Sequence, residues 1–514
     1  MSSGAMGASC SRLAFHTVRQ VLGCGILVTF VGALLAALHQ SEGIMVNRAA
    51  FVVLAVNASQ VPTPTPTSAP TIALASERGQ LAHRALSSIA VRPERASAAS
   101  SSRAHCRRGP MVTPASFGAR GDGLADDTLA VSQTLKYGTR CGAVVVIGPR
   151  GSQFLVSPGA LRVQLHDVTI RFEGILLGPS LGSWNPQHLP WPTELCAFGK
   201  RICAPNGVNP EVARSWYSLL LIQNSTNVTL EGPSGLAAPG ESFWTVRNMR
   251  PIVRGYCLLK LENSRRVRVL GVTFTDSPMY HFVVMRSKEV KLDGLQVSTH
   301  YHRSTSYEKP LCTKGCVLEA RNTDGISIIA SEHVSIRNSD IESGDDNLVI
   351  KGGSRDVLAE SLQLYRGKGL AIGSLGERGL EETVTNVVLR NISVQQCHYG
   401  MRLKTWQGGR GFVRNVSVAS FALHDVKVGI SVDQTYCAST QLPGGCASLR
   451  SHDAVRIEDV RFRDVTGTYW KAARVEHCVD CSRISYEGVN LRRFSASIGA
   501  KQAEHRAGSR SGKQ

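Results

Sequence analysis

Short apolar–polar alternations recur along most of the chain, and long amphipathic helical patterns are hard to find. From about residue 115 to 495 the runs are β-branched and end in Gly, Asn, Asp or Ser. Examples are NVTLEG (227–232), VRVLGVTF (267–274), VKLDGLQV (290–297), VSIRNSDI (334–341), VTNVVLRNISV (384–394) and FVRNVSVASF (412–421). Valines recur at Val228, Val267, Val290 and Val334, then at Val387, Val413 and Val455, at gaps that read as one or two turns of roughly 20–25 residues. Period-two alternation predicts strands, and a repeat of that length predicts a solenoid in which each strand lies on its counterpart one turn earlier. The fold class expected is all-β, a single-stranded parallel β-helix. A β-sandwich also carries many short strands, but it does not account for a similar Asn/Asp/Gly corner after successive ones.

The flanks have a different texture. Val21–Leu38 is an apolar run of 18 residues preceded by Arg12 and Arg19. It reads as a type II signal-anchor helix or a cleaved secretory signal, and either delivers the rest of the chain to the lumen or the outside. Residues 1–57 are therefore assigned to a tail and anchor segment. Residues 58–114, which include VPTPTPTSAPT from Val61, are assigned to a flexible stem. The β-helix domain is placed at 115–496 and a basic tail at 497–514.

The chain has 514 residues and a net charge of +19, of which residues 1–110 hold +7, residues 501–514 hold +3 and the remainder +9. A basic body suits an anionic partner. Aromatic–basic interleaving is absent, which argues against nucleic acid. Fourteen cysteines are present. The close pairs Cys196/Cys203, Cys312/Cys316, Cys437/Cys446 and Cys478/Cys481 read as loop-clamping disulfides of an oxidising compartment. A zinc site is the weaker reading of the same gaps. Asn-x-Ser/Thr sequons at Asn57, Asn224, Asn227, Asn391 and Asn415 fit a glycosylated, secreted product.

Candidate chemistry is concentrated in NTDG (322–325), SGDDN (343–347), RGKGLAIGSLG (366–376) and MRLKTW (401–406). Asp324 precedes Asp345 and Asp346 by 21 and 22 residues, and Lys368 follows Asp346 by 22. If one coil takes about that many residues, these side chains stack on neighbouring rungs about 4.8 Å apart. Arg402 and Lys404 fall on the next rung if GERGLEE (376–382) is an inserted loop, and alternation points both the same way. Two adjacent aspartates alone would suit an exposed corner or a calcium site. Three in register beside cations suit glycosidic cleavage, which needs one carboxylic acid to protonate the leaving oxygen and one carboxylate to activate water.

In this order and spacing the four motifs resemble those of the polygalacturonases, glycoside hydrolase family 28. FGARGDGLADDT (117–128) resembles the strand and cap that open their fold. The resemblance covers about residues 115–490. It implies a right-handed helix and hydrolysis of α-1,4-linked galacturonan with inversion. It implies no cofactor and no metal, an acidic polysaccharide (pectin or homogalacturonan) as partner, and action as a monomer outside the cell or in the wall. Carried over by position, Asp345 matches the general acid, and Asp324 and Asp346 match the pair that activates water. Arg402 and Lys404 match the cations that hold a uronate carboxylate, with Lys368 and Asn322 as further substrate-binding residues. The chain departs from the pattern where Lys368 replaces a histidine beside the acid and Asn347 replaces a cysteine. The alternative function is a weakly active or inactive descendant that binds acidic glycans.

Overall fold

The structure, a computed structural model, describes Cys106 and residues 110–184, 217–249, 255–300, 320–437 and 453–494. The 21–38 run, most of the stem and the basic tail lie outside these residues. So do Cys196, Cys203, Cys312, Cys316 and Cys446. Among the described residues no helix is long and apolar enough to cross a membrane.

Strands run from Met111–Val112 to Asn490–Arg493, and every pairing is parallel. They wind into three columns of a right-handed parallel β-helix. The first column stacks Ser218–Gln223, Cys257–Glu262, Phe282–Met285, Ile326–Ile329, Asp346–Ile350, Gly369–Leu375 and Tyr399–Trp406. The second carries the valine repeat seen in the sequence. Val228, Val267, Val290, Val334, Val357, Val387, Val416 and Val460 are Cα partners in an unbroken ladder. Each is buried. The expected marks at Val413 and Val455 miss this ladder. Val413 pairs instead with Val384 and Ile457, three residues ahead of the ladder position.

The corner before that ladder explains the Asn/Asp/Gly punctuation. Asn227, Arg266, Glu289, His333, Asp356, Asn386, Asn415 and Asp459, each just before a ladder valine, have φ between 53° and 57°. Asn and Asp tolerate this left-handed geometry best. Their side chains also link rungs: Asn386 Nδ2 donates to Asp356 Oδ1 (2.8 Å), and Asn415 Nδ2 donates to Asn386 Oδ1 (2.9 Å). At the preceding corner a buried serine stack does the same work. The backbone N–H groups of Ser225, Ser264 and Ser287 donate to the hydroxyls of Ser264, Ser287 and Ser331 at 3.0–3.1 Å.

The helix Thr128–Cys141 closes the N-terminal end of the core. Just before it, buried Asp127 accepts from the backbone N–H groups of Arg120 and Gly121 at 2.8 and 2.9 Å, a structural use of an acid in FGARGDGLADDT. Cys106–Cys141 and Cys478–Cys481 are disulfides.

Candidate active site

The site lies on the outer side of the first column. Ile326, Ile328, Leu348, Ile350, Leu370, Ile372, Met401 and Leu403 point into the core, so the alternate positions face outward. Residue counting placed the charged groups correctly. The backbone N–H of Gly325 donates to the carbonyl of Asp346 (3.0 Å) and that of Lys368 to the carbonyl of Asp345 (2.7 Å), which makes these consecutive rungs. Ala371 pairs with Arg402 and Gly373 with Lys404, so the RLK strand is the next rung. The inserted loop carries the short turn Glu377–Gly379.

All three aspartates are almost wholly buried, and their partners differ. Asp345 Oδ2 is 2.9 Å from Lys368 Nζ and accepts from the Asn322 backbone N–H at 3.1 Å. Its Oδ1 accepts from the Asp346 N–H at 3.0 Å. Asp346 Oδ2 is 2.7 Å from Lys404 Nζ. Among the described residues the Asp324 carboxyl receives only the Ser327 hydroxyl, at 3.4 Å. Thus two carboxylates hold an ammonium each, and the third pairs with none of the described ammonium groups.

The charge states follow. Burial and then the negative charge of Asp345 push Asp324 up to about 8, against the pull of Lys351 and Lys404. Burial would raise Asp345 as well. The charges of Lys368 and Lys404 and the hydrogen bonds from Lys368 and Asn322 outweigh it and hold Asp345 below the ordinary carboxylate range. Burial opposes the charge on Lys368, but Asp345 and Asp346 win and raise it. The resting proton therefore belongs to Asp324.

The motif glycines keep these rungs close. A Cβ at Gly325 would collide with the Asn347 carbonyl, and one at Gly367 with the Asn347 amide and the Asp345 carbonyl. Thr323 ties NTDG to SGDD: its hydroxyl donates to the Ala320 carbonyl (2.6 Å) and accepts from the Gly344 N–H (2.9 Å).

Several contributors were not singled out from sequence. His281 is fully buried and its backbone N–H donates to the Asp324 carbonyl (2.9 Å). Its Nδ1 donates to the same carbonyl (3.1 Å), while Nε2 accepts from the Ser277 N–H and the Thr299 hydroxyl at 3.4 and 3.3 Å. Burial lowers its pKa to about 4, so it is a neutral brace under Asp324. Asn347, treated as a mere replacement, is a buried staple. Its Nδ2 donates to the carbonyls of Ile341 (2.9 Å) and Tyr365 (2.8 Å), and its Oδ1 accepts from the Gly369 N–H (2.9 Å). Arg402 lies on the rung of Lys404, with Asp433 Oδ2 at 3.1 Å from its Nη2. The rings of Tyr399 and Tyr436 stand 4.6 and 5.2 Å from its guanidinium. Both cations of the RLK strand are thus engaged by carboxylates of the protein itself.

Residues 210–507 match the sequence profile of glycosyl hydrolases family 28. The chain belongs to glycosyl hydrolase family 28. Among relatives of this family 28 member, a polygalacturonase of Persea americana is 27% identical over 374 residues, 72% of this chain and 70% of the relative. A polygalacturonase of Prunus persica is 28% identical over 375 residues, 72% of this chain and 81% of the relative. In fold it is similar to an endo-xylogalacturonan hydrolase from Aspergillus tubingensis, with a TM-score of 0.58 and 18% identity over 74% of this chain and 93% of that one. A polygalacturonase from Erwinia carotovora gives 0.52 and 17%, over 72% and 92%. The family 28 membership makes the chain a glycoside hydrolase.

Proposed function

We propose that this enzyme hydrolyses α-1,4-linked galacturonan, the backbone of pectin, with inversion at the anomeric carbon. The observation that carries the reading is the set of three buried aspartates, from two neighbouring rungs, beside Lys368 and Lys404 from the next two. Asp345 is the general acid; Asp324 and Asp346 activate the water. In the resting site the proton is on Asp324 and Lys368 holds Asp345 ionised. The Lys368 side chain keeps 39% of its surface accessible, so an incoming uronate carboxylate meets it and draws it off. Without its cation Asp345 becomes the stronger base and takes the proton from Asp324. Asp345 then gives that proton to the leaving oxygen as the C1–O bond breaks. Water adds to C1, and its proton passes to the carboxylate pair of Asp324 and Asp346.

The disulfides Cys106–Cys141 and Cys478–Cys481 support action outside the cell or in the wall. The type II anchor rests on residues 21–38, outside those described. Asn224, Asn227, Asn391 and Asn415 are exposed, as glycan acceptors must be.

The test is incubation of the purified enzyme and its Asp345→Asn variant with polygalacturonic acid, with products resolved by size and the new anomer followed by NMR. Removing a positioned acid lowers the rate by ~10²–10⁴. A variant that keeps half of the wild-type turnover refutes the acid assignment. A wild type that binds the polymer without shortening it returns the glycan-binding alternative.

A further inference from the structure

Beyond the catalytic rungs a row of side chains runs from Lys368 toward the C-terminal end of the solenoid. The backbone N–H of His398 donates to the Gly367 carbonyl (3.0 Å) and that of Lys427 to the Cys397 carbonyl (3.0 Å). These bonds set His398 and Lys427 on the two rungs after Lys368. On the next rung Val426 pairs with Tyr469 and Val428 with Ala472, which brings Trp470 and Lys471 opposite Lys427. Thr468 pairs in turn with Arg492, and the Phe494 N–H donates to the Tyr469 carbonyl (2.6 Å), so the last rung adds Arg492 and Phe494. Trp470 stands three rungs past Lys368, about 14 Å along the axis.

The row faces outward and is open. Val426 and Val428 are buried, so alternation turns Lys427 out between them. Its ammonium lies 5.4 Å from the centre of the Trp470 ring. Trp470 and Phe494 are 36% and 40% exposed, whereas Trp184, Trp244 and Trp406 are buried. Lys471 and Arg492 are exposed as well. Lys368, Arg402 and Lys404 are each held by an aspartate. Lys427, Lys471 and Arg492 form no ion pair with a carboxylate among the described residues. Asp425, two residues before Lys427, accepts instead from the Thr468 hydroxyl at 2.9 Å.

A lone exposed ring or a lone lysine is ordinary on a protein surface. Here both kinds share one edge of the solenoid, in line with the site of the cut. An indole face packs against the C–H face of a sugar ring, and unpaired cations attract carboxylates. Galacturonan offers both features in every residue. A neutral glycan would leave the cations unused, and a polyanion without rings would leave the indole unused.

We infer that Trp470, with Lys427, Lys471 and Arg492, forms a remote subsite that holds the galacturonan chain on the C-terminal side of the cut. The inference rests on the galacturonan reading above and extends it to chain length. None of these groups reaches the reacting atoms. They add affinity only for a chain long enough to lie on Lys368 and Trp470 together.

The experiment measures kcat and KM of the wild-type enzyme, Trp470→Ala and Lys471→Glu on polygalacturonate and on oligogalacturonides of increasing length. For the wild type, KM falls with length until the chain reaches Trp470, then levels. In each variant it levels at a shorter length. KM on the polymer rises about ten-fold while kcat is kept, and kcat/KM on the shortest oligomer cut is unchanged. The same loss at every length, or no loss on the polymer, overturns the inference and leaves the galacturonan reading standing. If the wild type shortens none of these substrates, that reading falls, and the Kd for intact polygalacturonate decides the subsite. Binding about ten-fold weaker in the variants keeps it, and equal binding overturns it. Should Trp470→Ala melt far below the wild type, Lys471→Glu, a change at an exposed side chain, carries the comparison.

Discussion

Lys368 and Asp345 form an ion pair of 2.9 Å across one rung, at the position where related enzymes are expected to carry a histidine. A lysine is charged at every working pH and a histidine is not. The residue that must lose its charge to act as an acid is therefore held ionised until something displaces its partner.

Lys368→Met removes that hold. Without the ammonium the affinity of Asp345 for a proton rises, because the opposite charge that lowered it is gone. The basic limb of the kcat/KM profile reports loss of the single catalytic proton, so it moves to higher pH, by about a unit or more. At the same time KM on polygalacturonate rises, because a cation that meets the uronate is lost. Profiles measured on one substrate that superimpose would disprove any control of Asp345 by Lys368.

Asp324→Asn provides a test that needs no substrate. The native carboxyl titrates at about 8 against an ordinary value of 3.8. Between these values the unfolded chain releases its proton while the native protein keeps it. Wild-type stability from this group therefore falls as pH rises from about 4 to about 8, and is lost in full above that. The variant lacks this loss. Its melting temperature relative to wild type climbs from pH 4 to pH 8 and then levels off. A constant difference across pH 4, 6 and 8 means that Asp324 ionises like a surface carboxyl.

Asn347→Leu cuts the staple without touching a catalytic side chain. It leaves the carbonyls of Ile341 and Tyr365 and the Gly369 N–H without the amide that meets them at 2.9, 2.8 and 2.9 Å. Unmet buried groups of this kind cost roughly 1–3 kcal/mol each. Denaturant unfolding shows a loss of at least about one such group, and kcat falls more than KM rises because Lys368 sits between Gly367 and Gly369. Full kcat with reduced stability would make Asn347 a structural residue only.

The solenoid was legible because its repeat is written twice, in the ladder valines and in the left-handed residues before them. The register of Asp324, Asp345, Asp346 and Lys368 was legible because the coils that carry them are short and nearly equal. The same counting fails for His281, which braces the Asp324 carbonyl from 43 residues away, because residues 301–319 intervene in that coil. Asp433 escaped for a related reason. It follows Arg402 by 31 residues, near the end of a long strand, Arg410–Tyr436, that passes three left-handed corners, at Asn415, Ser420 and Asp425. A lone acid beside Val432 and Gln434 carries no motif. Asn347 was read by what it lacked, since a sequence shows the missing thiol and not the three backbone groups an amide can reach.

The serine stack has a further consequence for how such a molecule can vary. Ser264 and Ser287 are 23 residues apart and Ser287 and Ser331 are 44, yet the N–H-to-hydroxyl bonds joining the pairs are 3.1 and 3.0 Å. Coil length is thus free while coil phase is locked. A loop can double the path between two rungs without rotating the next strand, so segments arching from the columns behave as exchangeable cassettes over a fixed catalytic floor. Selection can refit what the cleft admits by swapping cassettes, with no need to retune the carboxylates beneath.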